Sequence, residues 1–171
     1  VNLSHKQKAL FSEIFNRVQK YRASSNRAAT QKLSGVPMFF AERRHREAKK
    51  IFVPQVLSER REYVTGGILA ENALVIAPHM QVVGGQVFEF SVLSSRMHHV
   101  WVATVCGRLK TDIRYSNLLG WNTFPVPVLT EKNVTDLSRC AEDILLAREA
   151  HFPATIAELY DPKRMDEEFS D

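Results

Sequence analysis

The sequence predicts an α+β fold: a small mixed sheet with packed helices, a helical N-terminal lead and a helical C-terminal tail. Three observations predict it. Apolar residues recur three and four apart at both ends of the chain, the period of a helix with one buried face. Alternating and β-branched stretches, punctuated by Gly and Pro, fill the middle. The 171 residues, 44% hydrophobic and 25% charged, suffice for one domain with a real core plus a small helical appendage.

The elements follow in order. From Ser4 to Arg22, Leu10, Phe11, Ile14, Phe15, Val18 and Tyr21 share one helix face, and Ser4 is placed to cap it. Lys6, Lys8, Arg17, Lys20 and Arg22 make the other face basic. Small and polar residues from Ala23 to Pro37 read as a loop. A basic run, Arg43, Arg44, Arg46, Lys49 and Lys50, precedes a strand from Ile51 to Val56. Pro54 interrupts that strand, which predicts an edge or bulged position.

Ser58 to Pro78 reads as strand, turn at Gly66-Gly67, strand, turn near Glu71-Asn72, strand. Gln86 to Cys106 contains no Gly or Pro, so its length predicts a helix with Gly107 as the residue just past its end. "RLKTDIRYS", residues 108–116, alternates with a period of two and reads as a half-buried strand. Pro125 and Pro127 force the next segment to turn. Beyond Thr130, Val134, Leu137, Ala141, Ile144, Leu145 and Ala147 mark an amphipathic helix. Another begins near Thr155 and stops at Pro162, and a last one starts after it. The expected divisions are a basic lead helix over 1–28, a sheet-bearing domain over 29–128 and a helical segment over 129–171.

Composition narrows the function. No apolar run approaches the eighteen or so residues of a membrane span, and the first residues are polar, unlike a signal peptide. The chain starts without Met and stops in an acidic stretch, so a piece of a larger protein is expected. Cys106 and Cys140 form no CxxC, which suggests neither a disulfide framework nor zinc and points to a reducing, cytoplasmic setting. Residues 1–130 carry 18 Lys and Arg against 8 Asp and Glu, whereas 131–171 carry 5 against 11. A basic body with an acidic tail predicts a polyanion-binding surface on the first part, with nucleic acid foremost. A merely solubilising charge distribution is the other reading.

Catalytic machinery is not found. There is no GxGxxG and no P-loop. Adjacent His98 and His99 diverge by about 100° on a helix and rarely share a metal, so core-lining or partly exposed roles are expected. Ser94-Ser95 lacks a nucleophile elbow. Asn122 to Pro125, "NTFP", has the wrong order for the Asn-Pro-Pro-aromatic loop of amino-methyltransferases. The chain by itself is expected to be no enzyme, with no metal and no cofactor of its own.

Cations without fixed geometry suit phosphates, and the lead helix, Lys32 and the run from Arg43 and Arg44 to Lys50 are such candidates, each otherwise a solvated face. Arg60, Arg61 and Arg96 sit in apolar surroundings, where a cation needs a partner, and are stronger candidates. Asn122 joins them. On the alternating strand, Arg108, Lys110, Asp112 and Arg114 point one way, a basic row with one carboxylate. Asp112 either neutralises its neighbours or accepts a hydrogen bond from cytosine N4 while Lys110 donates to guanine O6 and N7. Spacing alone leaves both readings open.

"QKLSGVPMFF", "VLSERREYVTGGIL", "LSSRMHHVWVATVCGRLKTDIRYSNLLGWNTFPVP" and "TIAELYDPKRM" resemble, in collinear order, the C-terminal third of MmeI-like type IIL/IIG adenine-N6 DNA methyltransferases. The resemblance covers nearly the whole chain from about residue 22. It implies a DNA target recognition domain followed by the start of a helical region. It also implies double-stranded DNA as partner and an upstream methyltransferase domain that holds S-adenosylmethionine in the parent protein. In that family the segment matching "RLKTD" reads bases, the Lys-x-Asp form going with G at one position and a Glu-x-Arg form with C. Lys110 and Asp112 carry the first form. The run Arg43–Lys50 departs from the polar loop often found there. Rival expectations are a type I specificity-subunit recognition domain and a protein-interaction domain with a basic surface.

Overall fold

The computed structural model describes residues 4–41, 43, 45–163 and 165, and the α+β class holds. The chain divides into two compact units, Val1–Arg44 and His45–Asp171. In the first, α1 (His5–Ala23) begins as its sequence predicts: Ser4 Oγ accepts from the Gln7 N–H, and Gln7 Oε1 accepts from the Ser4 N–H. The reciprocal pair satisfies two amide donors that a bare helix start leaves open. A short α2 (Ala28–Gln31) follows inside the stretch that reads as loop. Arg22 is not a free member of the basic face. Its guanidinium donates to the carbonyls of Leu33, Val36 and Phe39, at 3.2, 3.0 and 3.0 Å, and so ties the loop to the helix.

The second unit holds β1 (Lys50–Val53), β2 (Val56–Leu57), β3 (Gly67–Leu69) and β4 (Met80–Val83). Next come α3 (Val87–Ser94), α4 (Arg96–Val105), β5 (Gly107–Leu109) and β6 (Asp112–Arg114). A π-helical turn (Asn117–Trp121), α5 (Glu131–Ala150) and α6 (Ile156–Leu159) complete it. The strands form two antiparallel sheets, β3-β1-β4 and β2-β6-β5, in place of one mixed sheet. Pro54 does not mark an edge: β1 is the central strand of the first sheet. Lacking an N–H, Pro54 instead ends β1, and two residues later the chain enters the other sheet.

Two strand expectations are corrected, while the strand expected between them is β3. Between Ser58 and Thr65 the chain turns, with the Arg61 N–H on the Ser58 carbonyl, and Ala73 to Ala77 is irregular before Pro78. The strand that flanks β1 opposite β3 is β4, Met80–Val83. Lys50, the last of the basic run, is fully buried, its Nζ donating to the carbonyls of Ala48 and Glu71 at 2.7 and 2.6 Å. That cation serves the fold and faces no solvent.

The helix expected over 86–106 is two helices broken at Ser95. Its Oγ accepts from the His98 N–H at 3.1 Å and its N–H closes α3 on the Val92 carbonyl, so one residue ends α3 and caps α4. Gly107 opens β5 rather than closing α4, because Cys106 is already extended. Ser95→Ala is expected to cost about 1 kcal/mol of stability, the usual loss for an N-cap hydroxyl, read as a lower urea midpoint.

The core joins Ile51, Val53, Leu57, Phe90, Leu93 and Ile113, with Ala141 of α5 packed against α3. Arg148 secures the tail from inside. Its Nη1 donates to the Gly66 carbonyl at 2.8 Å, its Nε and Nη2 reach the Tyr160 hydroxyl, and its plane lies over the Phe90 ring. Gly66 is required there, since a Cβ would meet the Phe52 carbonyl oxygen at 2.7 Å. The last helix expected after Pro162 falls largely outside the described residues.

Candidate nucleic-acid interface

Residues 108–116 do not form one strand. β5 and β6 are the arms of a hairpin with a two-residue loop, Lys110 and Thr111, in the register Leu109↔Asp112, Arg108↔Ile113 and Gly107↔Arg114. β2 continues the sheet, with Val56 opposite Arg114 and Leu57 opposite Ile113. Opposed residues share a face and successive ones alternate. Asp112, Arg114, Leu109 and Val56 therefore share the outward face, while Ile113 and Leu57, each 1% exposed, point into the core. The predicted row of four is broken. Only Asp112 and Arg114 keep their common face, Arg108 pairs across to Ile113, and Lys110 stands exposed at the apex.

Lys110 has φ +57°, the left-handed region where two-residue hairpins favour Gly or Asn at the first loop position. No such residue stands at 110 or 111, which is why the turn is invisible to a reading of the sequence. The flanking residues hold it. Arg108 Nη1 donates to the Thr111 carbonyl at 3.1 Å, and Nη2 to the Ala103 carbonyl near the end of α4 at 3.3 Å. Asp112 Oδ1 accepts the Glu59 backbone N–H at 3.2 Å. The half-buried carboxylate thus has a structural task, but not the expected one. It binds an amide in the segment after β2, and among the described residues it makes no ion pair with Lys110, Arg108 or Arg114.

Next to β6 lies a ring cluster around His98, for which the sequence predicts a core-lining or partly exposed role. His98 is fully buried, with Nε2 3.0 Å from the Tyr115 hydroxyl and its ring edge-on to Phe124 and Trp121. It joins α4 to the residue that follows β6. Burial, with a smaller contribution from the neighbouring His99, pushes the His98 imidazole down to about 4. Burial likewise pushes the Tyr115 phenol up. Both rings are neutral at pH 7. His99 is lowered mainly by burial; Glu62 opposes the shift, and the guanidinium groups of Arg108 and Arg96 reinforce it. No group of three or more His, Cys, Asp or Glu among the described residues could hold a metal ion.

The remaining candidates are scattered over both units. Arg60 and Arg114 are exposed. Arg61 is half-buried and donates from Nη1 to Thr65 Oγ1 at 2.9 Å. Arg96 lies 3.4 Å from Glu62, a pair 65% and 55% exposed and therefore worth little to stability. Asn122 is exposed at the end of the π-helical turn. In the smaller unit Lys32 ends α2 and Arg43 stacks on Phe39, both exposed, whereas Arg44 lies outside the described residues.

The family model described as "MmeI, target recognition domain" matches residues 3–128, which takes in the hairpin, the ring cluster and both sheets. The chain belongs to the MmeI target recognition domain family. DNA methyltransferase A of Bacillus subtilis (strain 168) is 34% identical over 160 residues, 94% of this chain and 18% of that protein. A solved structure titled as the type IIL restriction-modification enzyme MmeI in complex with DNA aligns with a TM-score of 0.87 at 30% identity, over 94% of this chain and 22% of that one. The chain spans about a fifth of the length of these relatives.

Membership sets the MmeI-like reading above the type I specificity subunit. The matched segment ends at 128, so α5 and α6 lie beyond it. Among the described residues no helix is long and apolar enough to cross a membrane.

Proposed function

We propose that this recognition domain reads a base sequence in double-stranded DNA and directs an adenine-N6 methyltransferase domain upstream in the same polypeptide. The setting is a bacterial restriction-modification system, and the place is the cytoplasm, where the genome lies. Family membership, a relative named as a DNA methyltransferase and a neighbour solved with DNA support the reading. The observation that carries it is the hairpin. It presents Lys110 at an exposed apex, with Asp112 and Arg114 on the outward face of the same sheet. A two-stranded ribbon fits the major groove, where Lys donates to guanine O6 and N7 and a carboxylate accepts from cytosine N4. Asp112 Oδ1 holds the Glu59 amide, and Oδ2, without a partner among the described residues, is the oxygen assigned to the base.

The exposed Arg60, Arg96, Arg43, Lys32 and Asn122 are assigned to the sugar-phosphate backbone, where contacts position the domain without reading sequence. Arg61, held on Thr65 Oγ1, is assigned to the same backbone contacts. Methyl transfer is assigned to the parent protein and not to this chain, which would deliver a flipped adenine to the catalytic domain. S-adenosylmethionine is assigned to the methyltransferase domain of the parent protein and not to this chain. The cavity between α3, α5 and α6, about 470 Å³, has a largely apolar lining with no carboxylate for ribose hydroxyls among the described residues, and its Arg148 is occupied by Gly66 and Tyr160.

Selection tests the function. The intact protein is offered duplexes with a randomised central stretch, and bound molecules are sequenced over several rounds. One motif is expected to emerge, with affinity that falls linearly in log-log form as salt rises. Retention of the pool without enrichment, or binding indifferent to salt, would overturn the proposal.

A further inference from the structure

Resting on the hairpin as the base-reading element, we infer that Arg108 positions the loop carrying Lys110 and does not itself contact DNA. Lys110 holds a left-handed backbone without being Gly, and such a conformation persists only where surrounding contacts over-determine it. Arg108 supplies them on the β5 side. Its planar fork reaches the Thr111 carbonyl in the loop at 3.1 Å and the Ala103 carbonyl at 3.3 Å. Ala103 lies in the last turn of α4, where carbonyls lack intrahelical partners and the helix dipole favours a cation. On the β6 side, Asp112 holds the Glu59 amide. The strained residue is thus braced on both arms, one brace running to a helix packed on the core and the other to the segment beyond β2. The apex ammonium is aimed by these contacts before any DNA arrives.

A phosphate ligand and a positioning residue respond differently to substitution. Lysine keeps the charge and can still meet a phosphate, but a single ammonium cannot reproduce a fork held on two carbonyls. The test uses the intact protein, the duplex recovered by selection, and the same duplex changed at the base pair that Lys110 and Asp112 read. Two quantities are measured: the affinity ratio between the duplexes, and the slope of log affinity against log salt. Neither depends on the fraction of active protein, so a general loss of folding does not imitate the result.

Arg108→Ala is expected to lower the affinity ratio about tenfold, the order of one lost base contact, with an unchanged salt slope. Arg108→Lys should rescue none of it. In the DNA-free protein, amide exchange at Lys110 and Thr111 should quicken in both variants. The inference is overturned if Arg108→Ala weakens both duplexes alike and lowers the slope by about 0.9, with Arg108→Lys restoring both. It is equally overturned if neither quantity nor the exchange changes. A wild-type protein that selects no motif defeats the functional reading itself, and that is seen before any variant is made.

Discussion

Replacing Lys110 by Glu and Asp112 by Arg together in the intact protein is expected to change the preferred base at one position of the recognised sequence. The exchange reverses hydrogen-bond polarity at the apex and on the outward face. Lys offers only donors and ionised Asp only acceptors, whereas Glu accepts and Arg donates. Each lost contact should cost about 1–3 kcal/mol of discrimination against the former base pair. The new pair resembles the Glu-x-Arg form that goes with C, so a change from G to C is expected. Mapping methylated adenines on genomic DNA before and after the exchange reads the result, and an unchanged set of sites would count heavily against the assignment.

A control separates reading from folding. Asp112→Asn keeps an oxygen for the Glu59 amide while replacing the other carboxylate oxygen by a donor. It should relax specificity at the same position with little loss of stability. The double exchange also removes the brace to Glu59, so its stability is expected to be the lower of the two.

The second large effect concerns acid. His98 is fully buried with its imidazole pushed down to about 4, from an ordinary value of 6.5. The unfolded chain therefore takes up the proton first as pH falls. Stability from the neutral ring is complete above the ordinary value and is lost progressively down to about 4. Over the whole window the loss reaches about 3 kcal/mol. Urea midpoints between about pH 7 and about pH 4 should fall in the wild-type protein and far less steeply in His98→Gln. His99, lowered in the same direction, accounts for part of the remaining slope. Equal slopes in the two proteins would show that His98 is not the group responsible.

Elements made by local chemistry were legible. Ser4 before a periodic apolar face gives α1, and Thr130 before another gives α5, where Thr130 Oγ1 accepts from the Asn133 N–H. The hairpin was not legible, because its loop uses Lys and Thr where turns of that length favour Gly or Asn, and the hydrogen bonds that permit this come from elsewhere. Asp112 meets an amide 53 residues away, a partner that periodicity cannot reveal. Charge counting misplaced Arg22 and Lys50 for a related reason. Both cations are consumed by backbone carbonyls, which every sequence contains and none advertises. Lys110 and Asp112 are nameable as candidates only because "RLKTD" resembles a family pattern.

β6 divides its labour by parity. Ile113 faces inward at 1% exposure, and its two neighbours in the strand face outward. On the proposed reading, replacement at 114 changes the face offered to DNA with the hydrophobic interior untouched, whereas replacement at 112 also acts on the hold that its carboxylate has on the Glu59 amide. Length is under the opposite constraint. One residue added or deleted within β6 would send a charge inward and an isoleucine into water, a cost that replacement in place does not carry.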